Sequence, residues 1–213
     1  MEEQRMEESA REGLLVDGSG APLAEEDSGS VELSDGTLVA YHAIAPENAS
    51  ALQRFHHRLS ERSIYLRFFA AKPDLSDREA AYFTNVDRID RFALVALDPE
   101  RAEEIIAVVS FDREGNTERA EYAAEVADSW QGRGLGMALS RRLIEAALKR
   151  GVRTLVGIVL PQNRKMLHLF RDLGLPERLR YDYDDGTDYV EIDLTPVQNA
   201  TDRRAGTSGP QEG

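Results

Sequence analysis

A glycine-rich segment at residues 130–137 carries the residues whose types and spacing most clearly indicate chemistry. Glycine occurs at Gly132, Gly134 and Gly136, so the backbone can turn tightly and present successive N–H groups without obstruction by side chains. A long amphipathic segment follows, and the N-terminus of a helix adds partial positive charge to such N–H groups. The segment therefore predicts an anion-binding loop suited to a diphosphate.

Basic side chains surround this loop. Residues 131–153 contain six bases and one acid, in a chain whose net charge is −13. This local excess of positive charge favours a polyanionic ligand. The bases are Arg133, Arg141, Arg142, Lys149, Arg150 and Arg153.

Two common phosphate-binding loops do not match the segment. It lacks the Gly-Lys-Ser/Thr ending of an ATP-type loop. A dinucleotide fingerprint needs a strand–helix unit near the start of a parallel sheet and an acidic partner about 20 residues on, where this chain has Arg153 and Thr154. On these residues alone, a glycine-containing turn without a ligand remains the alternative.

Two glutamates, Glu121 and Glu125, are candidates for moving a proton. They are two strand periods apart and share one face unless a bulge intervenes. An alkylamine is mostly ammonium at pH 7, and a nearby carboxylate can take the proton that blocks its nucleophilic attack. On spacing alone, an exposed or ion-paired strand residue is the simpler interpretation of Glu121.

The elements that must position these residues follow from the hydrophobic periodicity. The pattern predicts strands at 37–44, 92–97, 104–112, 119–127, 152–159, 181–183 and 189–194. It predicts helices that start near residues 46, 60 and 77, and further helices at 134–150 and 162–173. This order is typical of an α/β fold with one mixed, mostly antiparallel sheet of about six to seven strands flanked by helices. We expect a single domain at residues 31–195, a disordered acidic tail at 1–30 and a disordered tail at 196–213.

Composition limits the partners that we expect. The overall negative charge opposes binding to nucleic acid, whose phosphates attract basic proteins. No apolar run approaches the roughly 18 residues of a membrane span, and the acidic start does not resemble a secretory signal. The 213 residues contain no cysteine, which excludes disulfides and cysteine–zinc sites. We therefore expect a cytoplasmic protein without a nucleic-acid or membrane partner.

Residues 181–193 contain six acids and no base. The spacing of a calcium loop fails at Gly186, and the histidines lack the spacing of metal ligands, so we expect no metal site. A solvated hairpin is the simpler interpretation. The alternative is that these acids attract a cationic acceptor, such as a lysine side chain or a polyamine. The acids are Asp182, Asp184, Asp185, Asp188, Glu191 and Asp193.

Taken together, these segments resemble the GNAT superfamily of acyl-CoA-dependent N-acyltransferases. The family loop pattern Gln/Arg-x-x-Gly-x-Gly/Ala is met by Gln131, Gly134 and Gly136. Asn163 resembles the family asparagine at the start of the next helix. The segments at 33–37, 59–69, 120–123 and 127–132 more narrowly resemble the acetyltransferase domains of bacterial protein-lysine acetyltransferases fused to ADP-forming acyl-CoA synthetases.

The resemblance implies a GNAT-type fold and direct transfer of an acetyl group from acetyl-CoA, as co-substrate, to a primary amine. It implies that Glu121 is the general base, with Glu125 as the reserve base. It also implies that the backbone of residues 125–128 binds pantetheine and that the loop at 131–138 binds the diphosphate. The coenzyme-binding residues implied in this way are Glu125, Val126, Ala127, Asp128, Gln131, Gly132, Arg133, Gly134, Leu135, Gly136, Met137, Ala138 and Asn163.

A protein lysine is the acceptor that the narrower resemblance implies, and a small amine or polyamine is the alternative. One departure from the family pattern supports a third possibility, a non-catalytic sensor that binds acyl-CoA. Phe170 stands where the family usually has the tyrosine that protonates the leaving thiolate. Without that tyrosine, the proton would come from water or from His168, or there would be no dedicated acid.

Overall fold

A computed structural model describes residues 27–206, and for residues 201–206 it describes the backbone alone. Residues 1–26 of the expected N-terminal tail, and residues 207–213, lie outside this range. The strands are β1 (Ser28–Glu32), β2 (Leu38–Ala43), β3 (Arg91–Asp98), β4 (Arg101–Arg113), β5 (Arg119–Val126), β6 (Thr154–Val159), β7 (Glu177–Asp182) and β8 (Thr187–Asp193). The helices are α1 (Ala49–Arg58), α2 (Glu61–Phe68), α3 (Asp77–Thr84), α4 (Leu135–Lys149), α5 (Arg164–Asp172) and α6 (Thr195–Gly206).

The strands form one mixed sheet in the order β1-β2-β3-β4-β5-β6-β8-β7. Every neighbouring pair is antiparallel except β5 and β6, which are parallel. The expected α/β, mostly antiparallel architecture is therefore confirmed. The sheet has eight strands in the described residues, slightly more than the six to seven expected.

The additional strand is β1, whose first three residues lie in the segment predicted to be an N-terminal tail. Its sequence, SGSVE, offers one apolar residue, Val31, and its periodicity is therefore too weak to predict a strand. Pairing with β2 holds it in place, across a turn in which Gly36 has a φ of 81°. Just before this strand, the buried Asp27 forms an ion pair of 2.8 Å with Arg150 at the end of α4. The ordered fold therefore begins before residue 31, and α6 extends it beyond residue 195.

Helices cover both faces of the sheet. The long helix α4 packs on β1, β3, β4 and β5, while α1 packs on β4 and α3. The short helices begin at serine caps. Ser60 Oγ accepts a hydrogen bond from the Ser63 N–H at the start of α2, and Ser76 and Glu79 form the capping box that their spacing predicts for α3. Side chains of β5 alternate between these two layers, which decides which residues can meet a ligand.

Candidate functional site

The sheet splits between its two parallel strands. β5 and β6 pair at Arg119–Thr154, Ala120–Leu155 and Glu121–Val156, and then diverge. Beyond that point β5 continues along β4 and β6 continues along β8. Beyond the split, the second edge of β5 therefore carries backbone groups that pair with no strand of residues 27–206. An extended ligand with amide groups can bind such an edge.

A cavity of about 410 Å³ opens at this split. Its walls come from β5, β6, the glycine-rich loop, α2 and α5. Many residues predicted from sequence for catalysis or coenzyme binding line it: Glu121, Glu125, Val126, Gln131, Gly132, Gly134, Gly136, Met137 and Asn163. These predicted residues are up to 42 positions apart in the chain, and the topology brings them together.

The glycine-rich loop adopts a conformation that requires glycine. Gly132 has a φ of 75° and Gly134 a φ of 88°, both in the left-handed region. Open space surrounds the position of a Cβ at each, so the requirement is conformational rather than steric. Gly134 caps α4 without any side-chain hydrogen bond, and the first turn of α4 leaves N–H groups available for an anion at the cavity wall.

Four of the six basic residues near this loop make contacts within the fold. Arg133 pairs with Asp35 at 2.7 Å and stacks on the Trp130 ring. Arg150 pairs with Asp27, and Arg142 pairs with Glu145. Arg153 donates to the backbone carbonyls of Leu148 and Val152. Carboxylates therefore compensate the charges of Arg133, Arg142 and Arg150, whereas the partners of Arg153 are neutral carbonyls.

Arg67 lines the cavity with its charge paired to Glu125, and a second cation there is Lys165, a residue that was not predicted for the site. Its ammonium donates a hydrogen bond of 2.8 Å to the side-chain oxygen of Gln131, a neutral partner. The amide nitrogen of Gln131 donates to the carbonyl of Val126 at 2.9 Å. Lys165 and Gln131 therefore connect α5, the loop and β5 along one wall. The only signal for Lys165 in the sequence is its position two residues after Asn163.

Asp128 anchors α2 beside the loop. Its carboxylate accepts hydrogen bonds from the N–H and the hydroxyl of Ser60 and from the hydroxyl of Ser63. Partial burial raises the pKa of Asp128, but these hydrogen bonds outweigh that effect and hold the pKa below its usual range. The side chain of Asp128 therefore points at α2 and does not line the cavity.

Glu121 and Glu125 lie in different surroundings on the same wall. Glu121 is exposed at the mouth, where the strands diverge. Glu125 is largely covered and pairs with Arg67 of α2 at 3.1 Å. Burial raises the pKa of Glu125, and the positive charge of Arg67 opposes that rise. A substrate amine can thus approach Glu121 from solvent, while Glu125 already has a fixed partner.

Phe170 closes the back of the cavity. Its ring is fully buried, and a Cβ built on Gly157 would lie 2.4 Å from it. The Tyr122 ring meets it edge to face at 5.2 Å. The Tyr122 hydroxyl is 2.6 Å from the Ser140 hydroxyl, and burial raises the pKa of Tyr122 to about 12. Phe170 has no proton to donate, and Tyr122 directs its hydroxyl to α4.

Five of the predicted coenzyme residues do not line the cavity. Leu135 and Ala127 are buried in the core, and the side chains of Arg133 and Asp128 bond elsewhere. Ala138 packs against the core from α4.

Asn163 lines the cavity, and its side chain also caps α5 by accepting a hydrogen bond from the Met166 N–H. Wall residues that the sequence analysis did not assign to the coenzyme site include Leu59, Ser63, Leu66, Arg67, Phe69, Trp130, Lys165 and Met166.

The described part of the chain has neither a cluster of metal ligands nor a helix that could cross a membrane. Residues 27–206 contain no group of three or more histidine, aspartate or glutamate side chains that could hold a metal ion. In the same range, no helix has both the length and the apolar character that a membrane crossing requires.

Comparison with known proteins gives consistent results. The acetyltransferase (GNAT) family matches residues 58–175. The GNAT domain of S. lividans PAT superimposes with a TM-score of 0.74 at 33% identity, over 80% of this chain and 98% of that one. Acetyltransferase PA5475 of Pseudomonas aeruginosa is 28% identical over 167 residues, which are 78% of this chain and 89% of that protein.

A third relative is longer than this chain. Acetyltransferase Pat of Mycolicibacterium smegmatis is 36% identical over 144 residues, which are 65% of this chain and 40% of that protein. This chain therefore spans less than half the length of Pat. The three similarities and the family match confirm the resemblance drawn from the sequence and the expected fold.

Proposed function

The chain belongs to the GNAT family of acetyltransferases, and we propose that it transfers the acetyl group of acetyl-CoA to a primary amine, with a protein lysine as the favoured acceptor. One observation carries this proposal. The split between β5 and β6, the N–H groups of the glycine-rich loop and the carboxylate of Glu121 all border one cavity. A thioester with a diphosphate tail and an amine acceptor can therefore meet there.

The proposed coenzyme runs along the split. Its pantetheine amides bond to the edge of β5 near residues 125–128, in the way that an added strand would. Its diphosphate binds the N–H groups of residues 131–138 at the start of α4. We add Lys165 to the residues implied by the family, because its ammonium borders this part of the cavity. A phosphate group would offer that ammonium a charged partner in place of the Gln131 amide.

Glu121 is the proposed general base. It takes a proton from the incoming ammonium, directly or through one water, and the neutral amine attacks the thioester carbon. A C–N bond forms and the C–S bond breaks, after which the nitrogen loses its remaining extra proton and the thiolate gains one. Exposure of Glu121 at the mouth supports this role, because the proton can pass on to solvent. Glu125 stays in reserve, since it would have to exchange its bond to Arg67 for one to the amine.

The position at which the family usually has the tyrosine that protonates the leaving thiolate holds a phenylalanine in this chain. Phe170 occupies that position, and the Tyr122 hydroxyl bonds to Ser140. His168, an exposed residue on the cavity wall, and water remain as proton sources. A CoA thiol is acidic enough to leave as a thiolate near neutral pH, so transfer does not require a dedicated acid.

Two observations bear on the acceptor. The narrower resemblance of the segments at 33–37, 59–69, 120–123 and 127–132 supports a protein lysine, whereas a small amine or polyamine remains the second candidate. The acidic hairpin at 181–193 lies on β7 and β8, and none of its six acids, all of them described, lines the cavity. Two of the six are paired, Glu191 with Arg119 and Asp182 with Arg180. A solvated hairpin is therefore the better supported interpretation of that segment.

The proposal is tested by screening lysine peptides, polyamines and small amines with acetyl-CoA and detecting free CoA. We expect thiol release with lysine peptides, matched by a mass increase on the peptide. Release of free CoA with small amines but not with lysine peptides would make a small amine the favoured acceptor in place of a protein lysine. Binding of acetyl-CoA without release for any amine would favour the non-catalytic sensor that Phe170 suggests.

A further inference from the structure

A second, smaller cavity lies on the face of the sheet covered by α1, α2 and α3. Its volume is about 50 Å³. Aromatic rings from three helices form its roof, namely Phe55 of α1, Phe68 of α2 and Phe83 of α3. Its lining is predominantly apolar, so it favours an alkyl group over water.

The floor of this cavity is a row of small residues across three strands. Ala93 of β3 lies opposite Ser110 of β4, and Ser110 lies opposite Ala123 of β5. All three line the cavity. Ser110 is partly accessible although β4 has a strand on each side and a helix above it. The helices therefore leave a gap above the row, because these side chains do not fill the space.

The small cavity adjoins the large one. Four residues belong to the walls of both cavities: Arg67, Ala123, Ala124 and Glu125. Arg67 and Glu125 form an ion pair at the junction, so each of these two charges is compensated there. The row runs from Ala123, next to the split, through Ser110 to Ala93 at its far end. The reacting end of a pantetheine arm bound along β5 would come close to Ala123.

We propose that this small cavity receives the alkyl chain of acyl groups longer than acetyl, so that propionyl-CoA and butyryl-CoA are substrates. The proposal rests on the acyl transfer proposed above and names its acyl donors. A water-sized group needs about 10–15 Å³ of such volume, so 50 Å³ accepts about three groups of that size. A methylene group is close to water in size. Propionyl and butyryl carry one and two more carbons than acetyl and fit, whereas hexanoyl carries four more and does not.

The transfer step is unchanged by the longer chain. The amine nitrogen bonds to the carbonyl carbon, the C–S bond breaks, the base takes the amine proton and the thiolate receives a proton. Only the substituent on the carbonyl carbon differs. Chain length should therefore affect kcat/KM through the fit of the alkyl group, by about tenfold or more for each carbon that the cavity cannot hold.

The test compares acetyl-, propionyl-, butyryl- and hexanoyl-CoA with one amine acceptor. For the unaltered protein we expect kcat/KM for propionyl and butyryl within about tenfold of acetyl, and a loss of about 100-fold or more for hexanoyl. Ser110→Val fills the middle of the row and should lower the values for propionyl and butyryl about tenfold, with acetyl unchanged. Ser110→Ala is the matched control, because it removes a hydroxyl without filling the space.

A second variant keeps the test meaningful if Ser110→Val does not fold. Ala93→Val fills the far end of the row, so it should impair butyryl while leaving propionyl and acetyl unchanged. The proposal is overturned if the unaltered protein discriminates 100-fold against propionyl, or if both filling variants keep the unaltered ratio of butyryl to acetyl.

Calorimetric titration separates this proposal from acyl transfer itself. We expect Ser110→Val to bind butyryl-CoA about tenfold more weakly and free CoA equally well. If Ser110→Val weakens butyryl-CoA binding in this way but no thioester is turned over, the proposed acyl transfer is rejected and the proposed alkyl pocket is retained. Equal binding of butyryl-CoA by Ser110→Val and the unaltered protein would reject the pocket and leave acetyl transfer standing.

Discussion

The ammonium of Lys165 and the side-chain oxygen of Gln131 are 2.8 Å apart, which joins α5 to the loop that precedes α4. Gln131 is neutral, so the charge of Lys165 is not compensated by its partner. Arg133, by contrast, is paired with Asp35 although it lies inside the loop itself. Sequence proximity to the loop is therefore a poor guide to which cation can reach a bound phosphate.

Lys165→Met should raise the KM for acetyl-CoA about tenfold and leave kcat nearly unchanged. A hydrogen bond to a charged group contributes about 1.5–3 kcal/mol, and the exposure of Lys165 places the effect at the lower end. The measurement is steady-state kinetics at saturating acceptor.

Arg164→Met is the matched control, because Arg164 is a neighbouring exposed base that does not line the cavity. S-acetylpantetheine, which lacks the diphosphate, provides a second control. An equal rise in KM for that compound and for acetyl-CoA would contradict the assignment of Lys165 to a phosphate.

Glu121→Gln should lower kcat about 100-fold or more at pH 7, since a positioned general base contributes about 10²–10⁴-fold. Acetyl-CoA should bind with unchanged affinity, which calorimetry can measure. Glu118→Gln, just before β5 and outside the cavity, should retain full activity. Unchanged turnover by Glu121→Gln would remove Glu121 from the mechanism and direct attention to Glu125.

Gly157→Ala should destabilise the protein by about 1–3 kcal/mol, because the new methyl group would overlap the Phe170 ring. Urea denaturation measures this change. Gly136→Ala is the control for stability, since a Cβ there meets Leu169 and Val126 at 3.4 and 3.5 Å, close to ordinary contact. The double variant Gly157→Ala/Phe170→Leu should recover part of the loss. Equal stability of Gly157→Ala and the unaltered protein would show that the ring can move aside.

The stability that Asp128 contributes should depend on pH in a defined direction. Its pKa is lowered in the folded protein, so the contribution is complete above the unfolded value of about 3.9 and is lost as the pH falls through the folded value. Asp128→Asn should therefore cost about 1 kcal/mol at pH 7, since solvent screens the exposed carboxylate.

The difference between Asp128→Asn and the unaltered protein should shrink as the pH is lowered from 5 towards 2. Urea denaturation at several pH values measures it. Asp172→Asn is a suitable control, because Asp172 is an exposed aspartate at the end of α5. A difference that stays constant with pH would mean that the Ser60 and Ser63 hydrogen bonds do not depend on the carboxylate charge.

Most of the fold could be predicted because its strands and helices carry strong periodicity. The fold class, the α3 capping box and the turn between β7 and β8 followed from local patterns, although the strand predicted at 181–183 covers only the end of β7. β1 did not, because its place depends on pairing with β2 and on the ion pair between Asp27 and Arg150, 123 positions apart. Local sequence contains no information about such a partner.

The loop could likewise be predicted, because its glycines are a local conformational requirement. Its surroundings could not. Arg133 forms an ion pair with Asp35, which lies far away in the sequence. The hydrogen bond from Lys165 to Gln131 depends on how α5 packs against the loop. The junction at Arg67 and Glu125 joins α2 to β5, and nothing in the sequence of either segment indicates the other. Contacts between distant segments therefore account for what sequence analysis missed at the site.

The bond between Arg133 and Asp35 has a practical consequence for anyone who shortens or transplants this domain. It joins the glycine-rich loop to the β1–β2 turn, at a separation of 98 positions. A version of the chain that starts after that turn would retain the glycine-rich loop but lose the ion pair between Arg133 and Asp35. Weaker binding of coenzyme by such a version would then result from the loss of the β1–β2 hairpin and not from a defect in the glycine-rich loop. A shortened domain should therefore retain this hairpin.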